Sequence, residues 1–194
     1  DLYHGKEILE NYRESNIDKI IIIPEKKVQP EIRDTVDAEG LLYFWSLDKL
    51  KLLKSDINVG IKIYNKLNDA LLNEIRNIHK DSWGFCKTPR TNDHIVFLAF
   101  LDDEPVGTAF LNKHNYNIDY GIHVKRNYWR RRIGTKLLTE IIRYVRTLEG
   151  NYVSVVRVYR RVGGTSADKR ATAFYQANKP SYKLRVYRLK YEHV

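Results

Sequence analysis

The hydrophobic positions of this chain change period several times, and each change marks an element. Residues 1–56 read as a small α/β piece: a helix at GKEILENYRES, a buried strand at DKIIIIP, a polar stretch EKKVQPEIRDTVDAEG and an apolar strand LLYFWS. LDKLKLLKSD follows as a helical or linker segment, and a boundary falls near residue 56. Beyond it NVGIKIY alternates as a strand, and KLNDALLNEIRNIHKDSW carries Leu67, Leu71, Leu72, Ile75 and Ile78 as the apolar face of a helix. HIVFLAFLDDEPVGTAFLN is two β-rich runs about Asp102, Asp103, Glu104 and Pro105, the pattern of a hairpin. YNIDYGIHV predicts a third strand, and Ile133, Leu137, Leu138, Ile141, Ile142 and Val145 form the stripe of an amphipathic helix. After LEGN, YVSVVRVY is another buried strand, GGTSADKRATAFYQAN a loop and short helix, and YKLRVYRLKYE a final strand or pair. From residue 57 the order is β-α-β-β-β-α-β-α-β, an α/β chain with a mixed sheet flanked by helices.

Size and composition support a real core: the chain has 194 residues, 43% of them hydrophobic. No run reaches the roughly 18 apolar residues of a membrane span, and the start, DLYHGKEILENY, lacks the basic-then-apolar order of a secretory signal. The single cysteine, Cys86, excludes an internal disulfide framework and suits a reducing, cytoplasmic setting. Metal-ligand spacings of Cys and His are missing, so no metal is expected. A net charge of +10 implies an anionic partner, whether nucleic acid, acidic protein or a phosphorylated cofactor.

That charge is concentrated where a helix least favours it. Five of the eight residues in KRNYWRRR, just before the stripe that starts at Ile133, are Lys or Arg. A helix N-terminus carries free N–H groups and the positive end of the macrodipole. Cations there are unfavourable unless an anion joins them. With Gly134 at the entrance, backbone amides can approach a ligand closely, and a pyrophosphate would turn the cluster from unfavourable to stabilising. The alternative is a solvated basic face.

The stretch VKRNYWRRRIGTKLL resembles motif A of the GNAT superfamily of N-acetyltransferases, V-x-P-x-(Y/H)-(R/Q)-x-x-G-x-(G/A)-(T/S). Val124, Tyr128, Ile133, Gly134, Thr135 and Leu138 stand at the matching positions. Trp129 replaces the usual Arg or Gln, Arg126 the proline and Arg132 the first glycine. Because Arg132 cannot enter φ > 0 at glycine's low cost, the loop is expected to be reshaped. DKRATAFYQAN resembles the family's later N-x-x-A-x-x-F-Y helix, with Asp168 in place of Asn, then Ala171, Phe174 and Tyr175. The two motifs extend the resemblance over residues 57–194, with 1–56 as an extension of unknown role.

The resemblance implies a GNAT-like acyltransferase fold and acetyl-CoA as co-substrate, bound in a V-shaped gap between the strand ending at Val124 and the strand at about 152–159. Backbone groups of Ile122, His123 and Val124 would pair with pantetheine. Trp129, Arg130, Arg131, Arg132, Ile133, Gly134 and Thr135 would surround the pyrophosphate and 3′-phosphate, with Asp168 and Phe174 completing the cofactor contacts. It further implies direct transfer to a primary amine, on a small molecule, peptide or protein. Tyr175 matches the family's common acid, and a phenol with an ordinary pKa of about 10 suits donation to a thiolate at roughly 8.5. For the base, the position that families use falls on Ile118, which cannot serve. Asp119, one residue on, faces the opposite way unless a bulge intervenes, and His123 has a suitable pKa. A water chain is the remaining route.

Other features read as ordinary structure: Cys86 as a half-buried thiol, His94 and His114 as strand-end or loop residues, and the aromatics of YRLKYEHV as one core face of a strand. A non-catalytic CoA-binding or nucleic-acid-binding module is the rival to the enzyme, nucleic acid being less favoured than the cofactor. No membrane partner is expected, and a homodimer is left open.

Overall fold

A computed structural model describes the backbone of residues 20–23, 36–47, 58–159 and 166–189, with side chains at 41–47, 58–156 and 169–183. The elements, in order, are β1 (Ile20–Ile23), β2 (Val36–Ser46), β3 (Gly60–Tyr64), α1 (Asp69–Trp83), β4 (His94–Leu101), β5 (Glu104–Asn112), β6 (Ile118–Val124), α2 (Ile133–Thr147), β7 (Tyr152–Tyr159), α3 (Ser166–Ala177) and β8 (Tyr182–Leu189). The expected succession from residue 57 is therefore present. The expected helices at GKEILENYRES and LDKLKLLKSD lie outside the described residues.

The strands sort into two four-stranded sheets, ordered β3-β4-β5-β6 and β1-β8-β2-β7. Every strand pair with an assigned register is antiparallel. Two compact units follow: Trp45–Val153, and Asp1–Phe44 with Ser154–Val194.

In the first unit, β4 and β5 are joined by the Asp102-Asp103 turn, with φ of 48° and 65°. Two positive φ values in a two-residue loop match the right-handed twist of the flanking strands, and Asp tolerates that conformation better than most residues. β4 is buried on both faces. Val96 and Leu98, with Phe110 of β5, pack on Ile75 and Ile78 of α1. Phe97, on the other face, meets Tyr144 of α2 edge-on at 5.6 Å. The stripe Ile133, Leu137, Leu138, Ile141, Ile142 and Val145 is buried throughout, as its spacing predicts.

α1 is framed by local chemistry. The Asn68 side chain accepts from Leu71 N–H at 2.9 Å, and Gly84 closes the helix at φ 83° with its N–H donating to the Lys80 carbonyl. α2 approaches β5 over Gly107, where an added Cβ would lie 3.1 Å from the His123 carbonyl and 3.2 Å from Leu137 Cδ1.

In the second unit, β8 pairs with β1 and β2, bringing Leu41 opposite Arg185 and Ile22 opposite Val186. Strands from before residue 56 thus share a sheet with β8. β2 begins at Val36, extending the predicted LLYFWS backwards through a polar segment. Pairing with β8, not hydrophobicity, sets that start. Tyr43 stacks on Tyr175 of α3 at 5.4 Å, and Ser181 N–H donates to the Phe44 carbonyl at 2.8 Å.

Gly150 offers a test of the packing after α2. Its N–H donates to the Val145 carbonyl at 3.0 Å, and an added Cβ would overlap Val145 Cγ1 and lie 2.9 Å from Tyr116 Cε2. Gly150→Ala should cost about 1–3 kcal/mol, read as a lower midpoint in urea unfolding with the slope unchanged. An unaltered midpoint would show that this corner repacks freely.

Candidate functional site

β6 and the segment after it collect most of the residues singled out from the sequence. Past Val124 the chain makes a short 3₁₀ turn at Arg126–Tyr128 and enters α2 through Arg130 and Arg132, both left-handed, with φ of 63° and 58°. Arg132 is the N-cap residue and supplies no side-chain acceptor to the first turn. The first helical bond runs from Lys136 N–H to the Arg132 carbonyl at 2.9 Å. The amides of Ile133, Gly134 and Thr135 precede that bond and have no intrahelical acceptor. Arg132 adopts the left-handed conformation that glycine takes more cheaply, at a cost of about 1 kcal/mol.

The cations of this loop fall into two classes. Lys125 Nζ pairs with Glu104 Oε1 at 2.9 Å, and Tyr128 Oη donates to Glu104 Oε2 at 2.6 Å. Hydrogen bonds from Tyr128, then Lys125, hold the Glu104 carboxyl below the usual carboxylate range. The Arg126 N–H donates to Asp81 Oδ2. Arg130, Arg131 and Arg132 are exposed. Among the described residues none of them pairs with a carboxylate; Arg131 instead lies over the Tyr128 ring at 5.3 Å. Trp129, expected at the cofactor, fastens its own loop: Nε1–H donates to the Val124 carbonyl at 2.7 Å.

The other end of β6 is broken by a bulge. Ala109 pairs with Ile122 and Phe110 with Asp119, so Tyr120 and Gly121, at φ 63° and 85°, have no counterpart on β5. Two extra residues leave the alternation intact. Asp119 and His123 therefore share the face of Phe110 and Thr108, and Ile118 takes the opposite one. His123 bridges the bulge: its Nε2–H donates to the Tyr120 carbonyl at 2.8 Å, which leaves Nδ1 to accept from Ser82 Oγ at 3.0 Å. Its ring lies 4.3 Å from His79 and 5.4 Å from Trp83.

Asp119 is held by three donors. His94 Nε2 is 2.8 Å from Oδ2, Asn112 Nδ2 3.1 Å from the same oxygen, and Asn117 Nδ2 2.7 Å from Oδ1. Because His94 Nδ1 accepts from Arg90 N–H, its proton sits on Nε2. Burial alone would raise the Asp119 carboxyl, but the bonds from His94, Asn117 and Asn112 outweigh it and hold it below its ordinary value. A carboxylate so satisfied is a weak proton acceptor.

His79, His94 and Ser82 were not picked out as functional from sequence. His79 and Ser82 continue the Leu71, Ile75 spacing of α1, a detectable signal; nothing local links His94 to Asp119. Cys86 is exposed, not half-buried, with Sγ 3.5 Å from the Arg76 carbonyl.

Tyr175, Phe174 and Asp168 belong to α3 in the other unit. Tyr175 is buried and packs edge-on to Phe174 at 5.0 Å as well as on Tyr43. The Asp168 side chain lies outside the described residues.

Residues 62–178, more than half the chain, match the acetyltransferase (GNAT) family. The chain belongs to the GNAT family of acetyltransferases. No curated protein sequence matches it at a significant level. Among solved structures, a conserved protein of unknown function from Staphylococcus epidermidis has a TM-score of 0.57 at 15% identity, over 98% of this chain and 80% of that one. L-PGS from Bacillus licheniformis has 0.55 at 12%, over 97% and 73%. A GCN5-related N-acetyltransferase from Kribbella flavida has 0.52 at 13%, over 84% and 63%. These likenesses establish the GNAT fold alone. Among the described residues no helix is long and apolar enough to cross a membrane.

The buried histidine makes a pH prediction. Burial, and then the charge of His123, lower the His79 pKa from 6.5 to about 3. As pH falls below 6.5 the unfolded chain takes up this proton first, so stability drains between pH 6.5 and about 3. Asp119 acts in a separate window, its contribution being present above 3.8 and lost below. Chemical denaturation should show about 2 kcal/mol lost between pH 6.5 and about 4.5, with a flatter slope in His79→Phe. An identical slope in the variant would remove His79 as the cause.

Proposed function

We propose that this GNAT-family protein is an acetyl-CoA-dependent N-acetyltransferase acting by direct transfer on a primary amine. The observation that carries the reading is the start of α2, where exposed Arg130, Arg131 and Arg132 lie beside the amides of Ile133, Gly134 and Thr135 at the positive end of a helix, with no carboxylate on those guanidinium groups among the described residues. That donor set fits a diphosphate and suits no cation. When bound, acetyl-CoA supplies the activated acyl group. On the family resemblance we assign the backbone of Ile122 to Val124 to its pantetheine arm, although one acceptor position on the Val124 carbonyl belongs to Trp129.

Of the two candidate bases, His123 suits the task better. Asp119 is an ionised carboxylate that accepts from three donors, whereas the His123 Nδ1 accepts from the neutral Ser82 hydroxyl. We assign Tyr175 as the acid, and Phe174 and Asp168 as cofactor contacts, on the strength of the family motif.

Replacing Arg130, Arg131 and Arg132 together by Ala should weaken acetyl-CoA binding at least about tenfold by calorimetry, with the fold intact. Arg132→Gly separates strain from binding: stability should rise by about 0.5–1 kcal/mol while affinity falls. Unchanged affinity in both variants would remove the diphosphate site. Tyr175→Phe should lower kcat more than it alters acetyl-CoA affinity, and full activity would retire it as the acid. Binding without free-thiol release across a broad amine panel would turn the reading to a CoA-binding module. Steep salt-dependent RNA binding that CoA does not displace would turn it to nucleic acid.

A further inference from the structure

The bond that steadies the bulge of β6 also arranges a nucleophile. Tyr120 and Gly121 stand out of the β5 ladder, and the Tyr120 carbonyl is an acceptor with no proton to give. It therefore fixes the His123 ring: Nε2 carries the proton donated across 2.8 Å, and the lone pair is left on Nδ1. Ser82 Oγ lies 3.0 Å from that nitrogen, so its hydroxyl is the donor. The His79 carbonyl competes for the same proton, but at 3.4 Å it is the weaker acceptor. Hydroxyl, imidazole and orienting acceptor thus stand in series, each link within hydrogen-bond reach, the arrangement that activates a serine. Here a backbone carbonyl holds the place that a carboxylate commonly takes.

The surroundings favour proton uptake at Nδ1. Ser82 lies in the last turn of α1, whose carbonyl end carries partial negative charge and stabilises an imidazolium beside it. His79, its ring 4.3 Å from His123, is kept neutral by burial, with a pKa lowered to about 3, so it adds no like charge near neutral pH. Access follows the same series. His123 is 9% exposed, Ser82 is half-buried, and Trp83 and Phe85 just after it are 38% and 55% exposed. Those two rings meet edge-on at 5.5 Å, with Trp83 5.4 Å from His123, and offer an apolar surface to an acyl or aryl group. The serine is the member of the series that an incoming molecule can reach.

We propose that Ser82 is an acyl-accepting nucleophile, activated by His123 and directed at small activated esters, a reactivity separate from amine acetylation. Its Oγ forms an ester bond to the acyl carbon as the carbon–oxygen bond to the leaving group breaks. The hydroxyl proton passes to His123 Nδ1 and from there to the departing oxygen. Water then repeats the exchange: its oxygen attacks the acyl-serine, one of its protons goes through Nδ1 to Ser82 Oγ, and the carboxylic acid leaves.

p-Nitrophenyl acetate, followed by p-nitrophenolate release and by peptide mass spectrometry after acid quenching, tests this without any CoA. The protein should give a burst of about one equivalent per chain, with one acetyl group mapped to Ser82. Ser82→Ala should abolish the burst, and His123→Gln should slow it at least about a hundredfold. The mapped adduct needs no variant, so it decides the matter even where a substitution disturbs folding. Acetyl found on Cys86 or Lys87 instead, or a burst that survives Ser82→Ala, would overturn the proposal. So would the absence of both burst and adduct in unsubstituted protein that circular dichroism shows to be folded. Acetyl-CoA affinity by calorimetry is a separate readout: its absence would sink the acetyltransferase reading and leave this nucleophile standing.

Discussion

The pairing of β6 with β5 is the constraint on which the rest of the first unit depends. It holds Ile118 and Asp119 in register at one end and Ile122 to Val124 at the other, and forces Tyr120 and Gly121 out between them. The bulged carbonyl cannot be left unbonded without cost, and the His123 Nε2–H satisfies it. That bond ties the irregular point of the strand to α1 through Ser82 and the His79 ring, so the bulge is supported by packed side chains. Had the strand carried one extra residue instead of two, Asp119 would have turned away from His94 and the network of Asn112 and Asn117 would have lost its centre.

Charge is sorted with the same economy. The hairpin turn places Glu104 where it neutralises Lys125 and accepts from Tyr128, and Asp81 at the end of α1 accepts the Arg126 amide. The acids near this loop are thereby directed to its beginning, leaving Arg130 to Arg132 concentrated at the end that carries the helix dipole. Arg130 and Arg132 moreover sit in a backbone region that glycine would occupy more cheaply. Strain and like charge accumulate at one helix entrance with no carboxylate partner among the described residues, and the proposed diphosphate would offset them.

Much of this was legible in the chain. The stripe of α2 is buried residue for residue, the Asp-Asp turn closes the expected hairpin, and the basic run falls at the helix entrance because 3.6-residue periodicity alone locates that entrance. The motif resemblance was readable for the same reason: it consists of residues close together in sequence. The exposure of Cys86, the sheet position of β2 and the roles of His79 and His94 were not. The last three depend on a partner distant in sequence: β8 for β2, His123 for His79, Asp119 for His94.

Local pattern by itself determined the succession of helices and strands, the hairpin and the concentration of cations before Ile133, since each rests on interactions within a few residues of backbone. Only tertiary structure decided that the strands would divide into two sheets, that β6 would bulge by two residues instead of one, and that Asp119 would be spent on three donors while His123 bridged Ser82 and the Tyr120 carbonyl. The physical reason is that register and hydrogen-bond satisfaction are properties of strand pairs and packed faces. A strand's periodicity specifies which side chains share a face, but not where its neighbour forces an extra residue out of line.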